Sequence, residues 1–151
     1  MLKEEARGQK PLPEELREKI ALSVDEELFW AAANLLQAEE HLLQTLHASG
    51  GLAGDIGELI AVIRSTRVQI MKQLGISNPS GEIWCASKHL ISAAYRLMEA
   101  SEKSLTQLNQ PLLAKKYSSM ARTLLEVFLI GCRELIRRLG DEEGDPEDTE
   151  R

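Results

Sequence analysis

The sequence predicts an all-α protein built as an up-down-up-down antiparallel four-helix bundle, and three observations support this fold class. Leu, Ala, Glu, Gln, Lys and Arg dominate the composition, whereas aromatic residues account for only 4%, which is typical of helical proteins. Apolar residues recur at intervals of three, four and seven along four long stretches, as on one face of an α-helix. Short breaks containing Gly, Pro or Asn separate these stretches, so consecutive helices should run antiparallel.

Length and charge divide the chain into three parts. The 151 residues suffice for one domain with a single core, which we assign to residues 13–140, after a flexible N-terminal arm at 1–12. Residues 141–151 hold seven acidic side chains and one Arg, so this tail carries the entire net charge of −6 and should be disordered. The rest of the chain is balanced, without the basic footprint of a nucleic-acid-binding protein.

Capping signals set the predicted helix boundaries in the first half of the chain. Pro13 fits the first turn of a short leading helix over residues 14–22. Ser23 and Glu26 form a capping box that starts the first long helix, which extends to about residue 48. The apolar stripe of this long helix contains one charged residue, Glu39.

Three further helices follow. The second begins near Asp55, is closed by Gly75, and again has one charge in its apolar stripe, Arg67. The third covers residues 83–108 and has a wide apolar face. Pro111 is suited to the first position of the fourth helix, which ends near residue 139.

The fourth helix is apolar on all sides around residues 124–132, which indicates that it is buried all round. Two explanations remain open: the short leading helix covers its extra face, or two copies of the chain associate through it. For the second explanation, which predicts a homodimer, the contact residues would be Leu125, Phe128, Leu129 and Ile130.

One weak metal or thiol signal stands at the start of the third helix. Cys85 and His89 are four residues apart, so both lie on one helix face within reach of a single ion. The carboxylate-bridged metal bundles require Glu three residues before His, and no His in this chain has one. As a catalytic pair, the two residues lack an evident third member.

The two charges in apolar stripes have two interpretations. Glu39 and Arg67 can form a buried ion pair, because a buried charge must find a partner. Alternatively, Arg67 lies at the same height as Lys88 and His89, so these three and Trp84 could surround a pocket for a small anionic ligand of phosphate or nucleotide type. Both interpretations stay open.

From the sequence we predict a cytoplasmic, non-catalytic bundle protein that acts through homo-oligomerisation or another protein–protein interaction. The anion-binding protein is the alternative, and an enzyme dependent on Cys85 and His89 as metal or thiol site is a second. No cofactor, nucleic-acid partner or membrane association is predicted. The chain starts without an apolar signal segment, its longest uncharged apolar run is too short to span a bilayer, and two distant cysteines do not indicate a disulfide scaffold.

The acidic tail generates the first prediction. Residues 141–151 contain no large apolar side chain, so they cannot offset the conformational entropy lost on ordering. Deletion of residues 141–151 should therefore leave the melting temperature, measured by circular dichroism, within about 2 °C of the intact chain. A drop of several degrees would mean that the acidic residues dock on the helical domain.

Overall fold

The computed structural model describes residues 12–47, 50–77 and 81–143, the last three without their side chains. The described residues are all-helical and contain no strand. The elements, in chain order, are α1 (Glu14–Thr45), α2 (Ala53–Gln73), α3 (Glu82–Thr106), α4 (Pro111–Glu126), a π-helical segment (Val127–Cys132) and α5 (Arg133–Glu143). Since α4, the π segment and α5 follow one another without a break, the described chain forms four helical rods. The all-α prediction with four long helices is confirmed.

The prediction of a separate leading helix is wrong, because α1 is one continuous helix of 32 residues. Pro13 occupies its N-cap position, and Ser23 lies inside the helix rather than capping a new one. A Ser in a helix interior costs only a few tenths of a kcal/mol. A chain break there would leave four backbone N–H groups and four carbonyls without helical partners, so the helix continues through the capping signal.

The predicted arm and tail lie mostly outside the described residues, which start at 12 and stop at 143. Within them, α5 extends through Glu143, three residues beyond the predicted boundary at 140. No helix in the described part of the chain combines the length and apolar character that a membrane crossing needs.

The helices pack mainly in three pairs: α3 with α4, α1 with α2, and α1 with α3. The small, fully buried Ala32, Ala33 and Ala94 allow α1 and α3 to approach closely. Phe29 of α1 meets Phe128 edge to face, with ring centroids 5.0 Å apart, a favourable geometry for two aromatic rings. The buried core contains side chains from α1, α2, α3, α4 and the π-helical segment.

The four residues predicted for an oligomer contact differ in their burial within the single chain. Leu125 and Phe128 are 1% and 0% exposed, so they belong to the core of their own chain and are not available to a second copy. Leu129 is half-buried, whereas Ile130 is 71% exposed. The buried residues follow helical spacing and the exposed ones lie on the other side, so this rod is amphipathic rather than buried all round.

Gly75 ends α2 as the sequence predicts. Its φ of 85° lies in the left-handed region, which glycine adopts without steric cost. The Gly75 N–H bonds to the Lys72 carbonyl and the Ile76 N–H to the Met71 carbonyl, at 3.0 and 2.9 Å. These two hydrogen bonds together form the Schellman motif. Its usual apolar contact is supplied by the buried side chains of Ile76 and Met71.

Gly57 inside α2 and Gly75 just after its end should respond to alanine in opposite directions. Gly75→Ala should destabilise the protein by about 1–2 kcal/mol, because a Cβ disfavours the left-handed conformation. Gly57→Ala, inside the helix where an added Cβ meets nothing within 4 Å, should stabilise it by roughly 0.5–1 kcal/mol. Urea unfolding of both variants measures the difference, and stabilisation by Gly75→Ala would contradict the assigned helix end.

Candidate functional site

A groove of ≈ 680 Å³ lies between α1, α2 and α3, and we call it the α1–α3 groove. Each helix contributes both charged or polar and apolar side chains. It is lined by Leu36, Glu39, Glu40 and Leu43 of α1, by Arg64, Arg67 and Val68 of α2, and by Trp84, Cys85, Lys88, His89 and Ser92 of α3.

Two buried charges stand at the α1–α2 contact. The Arg67 Nε donates to Glu39 Oε2 at 2.6 Å, and Arg67 Nη2 donates to Glu39 Oε1 at 3.2 Å. Both side chains are about 95% buried. The two parallel bonds form the bidentate arginine–carboxylate geometry that compensates the loss of hydration.

Two further arginines complete the ion pairs around the groove. Arg64 Nε donates to Glu39 Oε1 at 3.0 Å, so a single carboxylate is shared by two guanidinium groups. Arg96 holds both oxygens of Glu40 at 2.6–2.7 Å. The sequence analysis missed Arg64, because an exposed charge at the edge of a helical stripe does not interrupt the apolar pattern.

The start of α3 supplies the other side of the groove. Trp84 is 3% exposed, Lys88 is half-buried, and His89 and Cys85 are exposed. The structure therefore brings Arg67, Trp84, Lys88 and His89, the four residues predicted for an anionic ligand, to one groove. It also places Glu39, the alternative partner of Arg67, in the same groove.

The predicted metal pair, Cys85 and His89, gains no third ligand from the part of the chain that the structure describes. No three side chains of His, Cys, Asp or Glu come together there at distances suited to a metal ion. Two protein ligands are fewer than the three or four that zinc sites use.

A second surface is formed by the N-terminal part of α1, which we call the α1 overhang (residues 12–24). Every residue in it is exposed. It nevertheless carries five large apolar side chains that are 44–57% exposed: Leu12, Leu16, Ile20, Leu22 and Val24. Leu12 precedes the helix, and Leu16, Ile20 and Val24 within it are spaced by four residues and form one ridge along the helix.

Ion pairs fix α1 directly after the overhang. Asp25 Oδ2 accepts a hydrogen bond from Arg133 Nη1 at 2.7 Å, and Glu26 Oε1 accepts one from Arg122 Nη2 at 2.7 Å. Arg122 and Arg133 belong to α4 and α5. The overhang thus directly precedes the residues of α1 that form ion pairs with the fourth rod.

The exposed side of α5 carries both charged and apolar side chains. Glu134 accepts hydrogen bonds from Arg137 and Arg138, which lowers the pKa of this carboxyl group to about 2. Leu135 and Leu139 of the same helix are about half exposed. Both α5 and the α1 overhang therefore present apolar side chains to solvent.

Comparisons with protein-family models, with curated proteins and with solved structures find no match for this chain. Functional inference thus depends on the groove and the overhang themselves.

The buried pair of Glu39 and Arg67 generates a stability prediction. Glu39→Gln leaves the Arg67 guanidinium buried without a carboxylate partner and should cost about 3–5 kcal/mol. Arg67→Met should cost less, because Glu39 keeps its hydrogen bond from Arg64. The double variant should cost less than the sum of the two single variants. Urea unfolding of all four proteins gives the coupling free energy.

The exposed pair of Glu40 and Arg96 is the matched control for this cycle. Both side chains are 42–55% exposed, and exposed ion pairs contribute at most about 1 kcal/mol. A cycle on Glu40→Gln and Arg96→Met should therefore show weak coupling. Equal coupling in the two cycles would show that burial does not set the strength of the Glu39–Arg67 interaction.

Proposed function

We propose that this protein is a non-catalytic helical protein that acts as a homodimer, with the α1 overhang as the contact between copies. The observation that supports the proposal most directly is the exposed apolar ridge of the overhang. A helical segment of 11 residues is marginal in water without packing, and an exposed apolar ridge of this kind is typical of an interaction surface. A partner that covers the ridge would stabilise the helix and bury its leucines together.

Within the part of the chain that the structure describes, the five apolar side chains of the overhang remain 44–57% exposed. The α1 overhang makes no ion pair with another helix in the described residues; its one pair joins Lys19 to Glu15 of the same helix. The segments outside the described residues are polar: residues 1–11 contain only Met1, Leu2 and Ala6 as apolar side chains besides Pro11, and residues 144–151 contain only Pro146. These segments offer three apolar side chains besides the two prolines, fewer than the five large apolar side chains of the overhang.

A second copy fits the ridge in shape and charge. A ridge of side chains four residues apart can pack into the equivalent groove of an identical helix, and two-fold symmetry makes such a contact self-complementary. Residues 14–24 contain Glu14, Glu15 and Glu18 together with Arg17 and Lys19. Because the charges nearly balance, two overhangs can approach each other without strong repulsion.

We further propose that each copy folds as an up-down-up-down antiparallel bundle. Short connections between consecutive helices favour antiparallel neighbours. Near the end of α3, Ser101 Oγ donates a hydrogen bond to the Ala114 carbonyl at the start of α4. This contact supports an antiparallel direction for the second hairpin. The cytoplasm is the proposed compartment, in keeping with the free thiols of Cys85 and Cys132.

The dimer proposal predicts that acidic substitutions on the ridge dissociate the protein. Leu16→Glu and Ile20→Glu place charges where the proposed interface excludes water, which costs several kcal/mol for an unpaired charge. The folded chain should tolerate both changes, because both side chains are exposed. At Leu16, in the first turn of α1, an acidic residue is also favourable with respect to the helix dipole. Light scattering coupled to gel filtration should give a dimer mass for the wild type and a monomer mass for each variant.

Leu112→Glu is the control for these variants, since Leu112 is 84% exposed at the start of α4. It should elute as a dimer. A monomeric wild type at 100 μM would refute the proposal. So would a dimer that survives both ridge substitutions, because the contact would then lie on another surface such as the exposed Ile130.

A further inference from the structure

We propose that the α1–α3 groove binds a small organic anion, specifically a phosphate monoester with an apolar or aromatic substituent. This site goes beyond the proposed dimer contact and does not depend on it. The groove volume of ≈ 680 Å³ lies within the range of about 300–1,000 Å³ that small-molecule sites occupy.

The charged side chains of the groove, together with their ion-pair partners, carry a net positive charge. Glu39 is shared by Arg64 and Arg67, which leaves one positive charge on this triplet. Glu40 is neutralised by Arg96. Among the ion pairs of the described residues none involves the half-buried Lys88, so its ammonium adds a second positive charge.

Donor groups for phosphate oxygens are available on both sides of the groove. The buried Arg67 uses Nε and Nη2 on Glu39, whereas its Nη1 has only the Met71 sulfur at 3.8 Å as acceptor. A thioether is a weak acceptor, but Met71 is fully buried and does not line the groove, so this nitrogen faces the core. The donor on this wall is therefore Arg64, which is 58% exposed, lines the groove and uses only its Nε on Glu39. Lys88 and His89 line the opposite wall on α3. Arg and Lys together are the usual donors to phosphate in proteins.

The same groove offers apolar contacts for a substituent. Leu36, Leu43 and Val68 line it together with Trp84, which presents an indole ring. A site that combines convergent cationic groups with aromatic and aliphatic walls selects an anion with an apolar part over a fully hydrated inorganic ion. A phosphate monoester with an aryl group meets both requirements.

Cys85 provides a direct readout, because it is exposed and lines the groove, whereas Cys132 is buried. Phenyl phosphate is the probe. At saturating concentration, phenyl phosphate should slow the alkylation of Cys85 by iodoacetamide at least threefold, as measured by mass spectrometry. The protection of Cys85 should saturate as the phenyl phosphate concentration rises and should give a single Kd. In a Trp30→Phe background, which leaves Trp84 as the only tryptophan, fluorescence should titrate with the same Kd.

Substitutions then test the charge requirement. Lys88→Met should weaken phenyl phosphate binding roughly tenfold, whereas Lys88→Arg, which keeps the charge, should largely restore it. Lys103→Met is the control, since Lys103 is an exposed lysine on the same helix and does not line the groove. It should leave the Kd unchanged.

Three outcomes would overturn the proposal: no saturable protection of Cys85, equal protection in Lys88→Met, or inorganic phosphate binding as tightly as phenyl phosphate. Repeating the titration in the Leu16→Glu variant separates the two proposals. A monomeric variant that still binds the probe supports the site independently of the dimer, and a dimeric wild type without binding refutes the site alone.

Discussion

The interaction on which the arrangement of α1 and α2 depends is the buried ion pair between Glu39 and Arg67. Burial of two charges is costly, and the bidentate geometry offsets that cost only in one relative position of the helices. A shift of α1 along α2 by one turn would separate the charges while both remain in the apolar contact. The pair therefore selects one register for the first hairpin, which apolar side chains alone would specify less strictly.

The groove is a consequence of this register together with the alanines of α1. Ala32 and Ala33 of α1 and Ala94 of α3 are fully buried, whereas Leu36 and Leu43 of α1 line the groove. The ion pair then stands at the wall of the opening instead of inside a closed core. The carboxylate shared by two arginines is itself buried, and one of its partners, Arg64, is 58% exposed. That arrangement stabilises the carboxylate and at the same time leaves a positive surface.

The sequence predicted those features that a single helix specifies by itself. The composition and the helical period gave four helical stretches, and Gly75 marked the end of α2. The odd charges at Glu39 and Arg67 indicated a contact, because each interrupts a stripe that is otherwise apolar.

Features that depend on competition between signals were not predictable in the same way. The capping box at Ser23 is a local preference worth about 1 kcal/mol, and the continuing helix outweighs it. The apolar run around Phe128 includes residues on both the core face and the exposed face of one rod. Which of these residues are buried depends on where α1 and α3 pack against the rod. Similarly, no periodic signal identifies Arg64, since its role depends on where Glu39 lies in another helix.

The two proposed surfaces share one helix, and the contacts between them determine whether they influence each other. Ile20 and Glu39 are 19 residues apart on α1, or about 28 Å at about 1.5 Å per residue. Between them, Phe29 packs on Phe128, and Asp25 and Glu26 are bound to the fourth rod. A movement of the overhang must first break these contacts before it can tilt α1 at the groove. Because packed cores do not deform continuously, a dimer contact at the overhang should leave the groove geometry unchanged, and the two surfaces should act independently.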